Sequence, residues 1–231
     1  MADLSIEPEW CDRCGYNKME GCCQRAKEKE MAEKQRAEEM EALTLGGKRA
    51  AREYLPELFD VQLQPKALQD KYKEALSYVQ GFSRIKDNVL LYGPAGCGKT
   101  FLGTVALRNS RPEHRRVVHG SEFAGLLMAA KINGQDIPFF DGKTLLIDDL
   151  DKVAVKEFGA VEIQRFFNKW WSDDKGGLIM TTNRDPGQLA ELWNDDSIIS
   201  RIVGMSKVFG FVATKENGMT SPKDVRLINR G

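Results

Sequence analysis

Asn88 to Tyr92 reads N-V-L-L-Y, a short apolar run that stops at a glycine. Similar runs occur at 116–119, 143–148, 177–182 and 206–213. Each has the length of one buried strand. The segments between them carry apolar residues at helical spacing and are predicted as helices at 99–109, 121–132, 156–171, 187–193 and 197–203. The helix from Lys156 sets Ile163, Phe166, Phe167 and Trp170 on one face, the mark of core packing. Neither Trp170 nor Trp171 reads as a base-stacking residue. Strand and helix alternate from residue 88 onward. That order predicts a parallel five-stranded sheet with helices on both faces, a three-layer α/β sandwich.

The chain before this sheet has a different pattern. Pro65 to Phe82 places Leu68, Tyr72, Leu76 and Val79 at helical spacing, so a helix should pack beside the first strand. Tyr54, Leu55, Leu58 and Phe59 form an apolar lead-in. Gln24 to Leu43 is dense in Glu, Lys, Arg, Ala and Met and has no Gly or Pro, which favours helix. Its apolar positions, such as Met31, Met40 and Leu43, are too sparse for a heptad seam. It is predicted as a solvated connecting helix that ends at Gly46-Gly47. Three regions follow: 1–23, a Cys-rich module; 24–47, a charged helical linker; and 48–231, the main domain.

Composition narrows the class without choosing a partner. The chain has 231 residues, 42% hydrophobic and 29% charged, as in ordinary globular domains. Lys+Arg and Asp+Glu are equal at 34, so bulk charge argues for neither nucleic acid nor membrane. No apolar run approaches a membrane span, and the N-terminus lacks the pattern of a secretory signal. The five cysteines are therefore expected as reduced thiols or metal ligands. Cys11, Cys14, Cys22 and Cys23 follow C-x2-C-x7-C-C. Two such pairs can close a tetrahedral Zn²⁺ site, although adjacent side chains such as Cys22 and Cys23 tend to diverge. Free thiols are the other reading, and an iron–sulfur cluster a third.

Chemistry concentrates after the first strand. Gly93-Pro94-Ala95-Gly96-Cys97-Gly98-Lys99-Thr100 satisfies G-x-x-x-x-G-K-[ST], and Phe101 follows as the helix opens. Glycines let backbone N–H groups turn inward on an anion, and a helix N-terminus adds partial positive charge. Lys99 is placed to reach β- and γ-phosphates, and Thr100 to hold Mg²⁺. Thr144 to Asp149 is a second strand, ending in two acids. At the carboxyl end of the sheet, Asp148 is expected to hold Mg²⁺ through water and Asp149 to polarise an attacking water. A turn-capping acid pair is the plain alternative. Leu178 to Thr182 delivers Asn183, either as a polar group beside the γ-phosphate or as a turn residue before Asp185-Pro186. Arg201 lies on a short helix capped by Asp195-Asp196-Ser197. Arg108, Arg111, His114, Arg115 and Arg116 form the densest basic cluster, able to meet nucleic-acid phosphates or simply to face solvent. His114 and His119 have no ligand spacing and receive no role.

Y-G-P-A-G-C-G-K-T, L-L-I-D-D-L, T-T-N and the Ser200-Arg201 pair together resemble AAA+ ATPases, over roughly residues 50–213. Within them they resemble DnaC/DnaI-type helicase loaders and the related IstB-like transposition helpers. The double Asp is typical of the initiator and loader branch. The resemblance implies a bacterial or phage-infected cytoplasm, ATP and Mg²⁺ as ligands, Asn183 as a sensor, and Arg201 acting in trans on a neighbour's γ-phosphate. It implies a homo-oligomer that places a hexameric replicative helicase on single-stranded DNA, or serves a transposase in the IstB-like form. The Cys-rich N-terminus is similar to loaders with a zinc module, except that Cys22-Cys23 replaces spaced cysteines. About 30 residues follow Arg201, which leaves no room for a full helical lid domain. Arg226, near a Pro222-started helix, is a candidate second sensor. A P-loop kinase for a small molecule and a nucleotide-binding adaptor with negligible turnover are the readings from other classes.

Overall fold

The structure is a computed structural model that describes residues 30–37, 45, 53–85, 87–134, 143–153, 157–173 and 176–212. The chain divides into two compact units, Met1–Glu41 and Ala42–Gly231. In the first unit, residues 30–37 are helical and exposed, in keeping with a charged sequence. In the second, Leu45 is 2% exposed and joins the core, although the sequence places it in the linker.

The five expected strands form, with bounds shifted by a residue or a few. They are β1 (Asn88–Tyr92), β2 (Arg115–His119), β3 (Thr144–Asp148), β4 (Leu178–Thr182) and β5 (Lys207–Gly210). All pairings are parallel, in the order β2-β3-β4-β1-β5. The longer helices described in this unit are α1 (Lys66–Gln80), α2 (Lys99–Arg108), α3 (Gly120–Ile132), α4 (Glu157–Ser172), α5 (Pro186–Trp193) and α6 (Asp196–Met205).

Strand side chains alternate between faces, and that alternation sorts the core into two layers. Val89, Leu91, Leu146, Ile179 and Phe209 face one way, onto α1 and α2. Leu90, Leu145, Ile147, Leu178 and Met180 face the other way, onto α3 to α6. The sandwich is therefore three-layered, as the strand–helix alternation predicts. Each large apolar side chain buried there contributes about 1.5–3 kcal/mol.

Polar side chains fasten the frame where backbone groups need partners. Asn88 Oδ1 accepts from Leu178 N at 2.9 Å and from Trp170 Nε1 at 3.4 Å. Trp170 is thus a core residue, whereas Trp171 is 46% exposed. Asp195 caps α6 by accepting from Ser197 N and Ile198 N. Asp185 caps α5 in a capping box with Gln188. Among the described residues, no helix is long and apolar enough to cross a membrane.

Candidate functional site

Parallel strands end together, so the carboxyl ends of β1, β3 and β4 bring their following residues to one edge. The loop after β1 turns sharply into α2. Gly98 has φ 95°, a left-handed conformation that favours glycine, and α2 begins at the next residue. From that position Lys99 folds back, only 5% exposed. Its Nζ donates to Gly93 O at 2.9 Å, Pro94 O at 2.9 Å and Asn183 Oδ1 at 3.0 Å. An ammonium has three donors, and these three oxygens match them.

The loop is held from behind. Tyr72 on α1 donates its buried hydroxyl to Cys97 O at 2.8 Å and stacks on Phe211 with ring centroids 4.3 Å apart. Burial raises the Tyr72 hydroxyl pKa, and the neighbouring Cys97 adds to the rise. Burial also pushes the Cys97 thiol up, against the opposing pull of Lys99. Both groups stay protonated and neutral in an apolar setting. Phe101 packs outward from the loop, with Phe59 and Tyr54 at ring distances of 5.0 and 5.2 Å.

Thr100 Oγ1 donates to Asp148 Oδ1 at 2.9 Å. Thr181 Oγ1 donates to the same oxygen at 2.6 Å and accepts from Asp149 N at 2.9 Å. The Thr100 and Asp148 oxygens fit a hard cation. The two oxygens lie 2.9 Å apart, a hydroxyl and a carboxylate of the kind Mg²⁺ takes directly or through its waters. These two residues would hold Mg²⁺, whose charge offsets that of phosphates. Among the described residues there is no His/Cys/Asp/Glu group suited to another metal.

Asp149 turns the chain. It has φ 57° and ψ 59°, the left-handed region that Asp tolerates better than most residues. A 3-10 turn, Leu150–Lys152, follows. The turn brings Asp149 O close to Gly120, where a Cβ would sit 2.1 Å from that oxygen. Only glycine fits there. The Asp149 carboxylate is contacted at both oxygens. Asn183 Nδ2 donates to Oδ1 at 3.2 Å, and His119 Nε2 lies 3.5 Å from Oδ2. Asn183 thus faces Lys99 with its carbonyl and Asp149 with its amide hydrogens.

Lys99, Thr100, Asp148, Asp149 and Asn183 therefore form one connected group. Arg201 does not enter it. Its Nη1 donates to Ser197 O at 3.2 Å and to Ser197 Oγ, both one turn back on α6. Cys11, Cys14, Cys22, Cys23 and Arg226 lie outside the described residues. The basic cluster is largely used at home. Arg115 donates to Ser110 O at 2.7 Å and Arg108 O at 2.9 Å, and Arg108 donates to Tyr54 O at 3.2 Å. Arg111 and Arg116 are exposed. This cluster sits at the amino end of β2, the sheet edge opposite the Gly93–Thr100 loop.

Three site residues carry only a faint signal in the linear sequence. His119 ends β2 and caps α3 by accepting from Ser121 N. Its place at a strand's carboxyl end was the available clue. Asp151 follows the acid pair and reaches Asn183. Burial pushes its carboxyl up, but hydrogen bonds from Asn183 and the nearby Lys152 outweigh that and hold it below the usual range. Tyr72 sits in the apolar stripe of α1, where a buried hydroxyl needs a partner.

This sheet order, with a glycine loop on β1 and acids on β3, defines a P-loop ATPase fold of the AAA+ type. The family described as "Bacterial DnaA ATPAse domain" matches residues 72–206, more than half of the chain. The chain belongs to that family. The crystal structure of the DnaC helicase loader is similar with TM-score 0.58 and 18% identity, covering 71% of this chain and 99% of that one. AMPPCP-bound DnaA from Aquifex aeolicus has TM-score 0.52 and 22% identity, over 69% of this chain and 50% of that one. These likenesses are likenesses of fold. A Caenorhabditis elegans protein named as a probable 26S proteasome regulatory subunit 6B is 33% identical over 120 residues, 42% of this chain and 27% of that protein. The chain thus spans about a quarter of that curated relative and half of the Aquifex DnaA chain.

Proposed function

We propose that this chain binds ATP with Mg²⁺, hydrolyses it slowly, and acts as an oligomeric switch that loads a replicative helicase onto single-stranded DNA. The observation that carries the ATPase part is the Asn183 amide. It joins Lys99 to Asp149, at 3.0 and 3.2 Å. A phosphate that draws Lys99 toward itself changes what Asn183 touches, and Asn183 touches the carboxylate suited to orient water. In this reading the loop N–H groups and Lys99 bind phosphate, and Thr100 and Asp148 hold Mg²⁺. Asp149 orients the water. Its side chain is one methylene shorter than Glu, which suits a slow switch more than a motor.

The loader part draws support from the DnaC helicase loader, whose solved chain is covered over 99% of its length. DnaA, also similar, has been solved with AMPPCP and single-stranded DNA at TM-score 0.51 and 24% identity. The test is ATP hydrolysis by wild type and Lys99→Ala, with and without single-stranded DNA, joined to a pull-down from the native host. Lys99-dependent turnover that responds to DNA, with a replicative helicase recovered, is the expected result. A transposase in the pull-down would redirect the partner. Turnover stimulated only by a small phosphate acceptor would reject the reading.

A further inference from the structure

Asp151 holds a position that neither the P-loop nor the acid pair explains. Its side chain is 4% exposed. Oδ1 accepts from Asn183 N at 2.9 Å, Asn183 Nδ2 at 3.2 Å and Thr182 Oγ1 at 3.3 Å. Oδ2 accepts from Asn183 Nδ2 at 3.4 Å and lies 3.5 Å from Lys152 Nζ. One carboxylate therefore meets both the backbone and the side chain of Asn183. It ties the end of β4 to the turn after β3.

The amide of an asparagine is nearly symmetric in shape, so packing alone does not choose which end is oxygen. Hydrogen bonding chooses. A carboxylate only accepts, so Asp151 requires the Nδ2 end to face it. That leaves Oδ1 for Lys99. Lys99 imposes the same orientation from the other side, because an ammonium only donates. The two constraints agree while Lys99 stays folded onto its loop. Once Lys99 turns to a phosphate, its constraint is gone. Asp149 and Asp151 are then the acceptors that keep the amide hydrogens turned inward, and Asp151 grips the backbone as well.

We propose that Asp151 is a positioning residue that fixes the rotamer and amide orientation of Asn183, so that Nδ2 stays on Asp149 when Lys99 engages phosphate. This rests on the ATPase reading above. Asp151 touches neither nucleotide nor water in this scheme and acts through Asn183 alone.

The test is a double-mutant cycle on turnover, with Asp151→Ala, Asn183→Ala and the pair. Asp151→Ala should leave ATP affinity within about twofold and lower kcat by about tenfold to a hundredfold. Adding it to Asn183→Ala should change kcat by less than about twofold, since the two act as one unit. Asp151→Asn, which keeps one acceptor oxygen, should recover part of the loss and serves if Asp151→Ala does not fold. Independent multiplication of the two effects, or unchanged kcat in Asp151→Ala, would overturn the proposal. A second measurement needs no turnover. The two Asn183 amide-proton resonances, assigned by their loss in Asn183→Ala, should stay sharp and keep hydrogen-bonded shifts in wild type with AMPPCP bound or absent. In Asp151→Asn both should shift and broaden, because the Cβ–Cγ bond of Asn183 is held by fewer acceptors. Unaltered resonances would overturn the positioning role. Absence of Lys99-dependent hydrolysis in wild type would instead reject the ATPase reading, with the resonances still deciding the role of Asp151.

Discussion

His119 Nε2 lies 3.5 Å from Asp149 Oδ2, while Asn183 Nδ2 takes Asp149 Oδ1 at 3.2 Å. Asp149, the residue proposed to orient water, is thus engaged on both oxygens, by His119 at the end of β2 and by Asn183 just after β4. Asn183 keeps Asp149 in place, whereas His119 occupies the oxygen left to accept a water proton. His119→Ala should therefore raise basal turnover. The two side chains are 45% and 33% exposed, so solvent screens the pair. An interaction of that kind is worth up to about 1 kcal/mol, which caps the rise at about fivefold. Steady-state hydrolysis without DNA measures it, and a fall in kcat would show that His119 assists Asp149.

Nucleotide binding and turnover should separate on Lys99 and Asp149. Lys99→Ala removes the loop's cation and should abolish ATP binding. Asp149→Asn keeps the shape and should bind ATP without hydrolysing it. A thermal shift reads the first point, because ligand at about a hundred times Kd stabilises by about 2.7 kcal/mol. That shift should appear in wild type and Asp149→Asn and vanish in Lys99→Ala. Undiminished hydrolysis in both variants would reject the assignment.

Much of this arrangement is legible in the sequence. The five apolar runs are the five strands, because a fully buried parallel strand needs little beyond about five apolar residues. The Gly93–Thr100 loop is legible because its pattern and its flanks agree. The remainder depends on contacts distant in sequence. Which strands adjoin is set by pairings such as Leu90 with Met180, and no local pattern encodes them. His119 reaches Asp149 because β2 lies beside β3. Asp151 reaches Asn183 because β3 lies beside β4 and Asp149 turns left-handed between them. The basic cluster misleads for a related reason. Arg108 and Arg115 read as a patch, but their guanidiniums satisfy backbone carbonyls in the fold.

The DNA reading therefore rests on fewer charges than the sequence offers. Arg111 and Arg116 are exposed, whereas Arg115 fastens the end of α2. Arg111→Glu with Arg116→Glu should weaken single-stranded DNA binding and reduce its salt dependence. Each lost phosphate contact lowers the slope of log K against log salt by about 0.7. Unchanged affinity and slope would move the DNA site to another surface. Arg115→Glu is the wrong variant, since it should lower stability as well.

Alkali should destabilise this fold. Burial, with Asp87 nearby, raises the Tyr78 hydroxyl from 10.0 to about 12. Burial raises Tyr72 and Cys97 as well. Each group releases its proton in the unfolded chain at a lower pH than in the folded one. The folded state then holds more protons, so stability falls as pH rises. The Tyr78 share is present below its unfolded value and is lost between pH 10.0 and about 12. Melting temperature should decline across that window, and Tyr78→Phe should flatten part of the decline. A melting temperature unchanged by Tyr78→Phe at every pH in the window would contradict this.

Arg201 stands outside the network that joins Lys99, Asp149 and Asn183. It is bound to Ser197 on its own helix. If it serves hydrolysis, it serves a neighbour's site. A guanidinium is a fixed fork of donors suited to a developing γ-phosphate charge. A lone subunit would then hold ATP and Mg²⁺ yet lack one catalytic group. Arg201→Ala should leave nucleotide affinity nearly intact and lower turnover by roughly a thousandfold or more, the scale of such residues. Mixing separates action in trans from a local role. The Asp149→Asn subunit keeps its Arg201 and can lend it to an Arg201→Ala neighbour whose Asp149 is intact. Mixed assemblies should recover turnover in proportion to such interfaces. Co-assembled variants that stay inactive would reject action in trans and leave Arg201 as a fastener of α6 through Ser197.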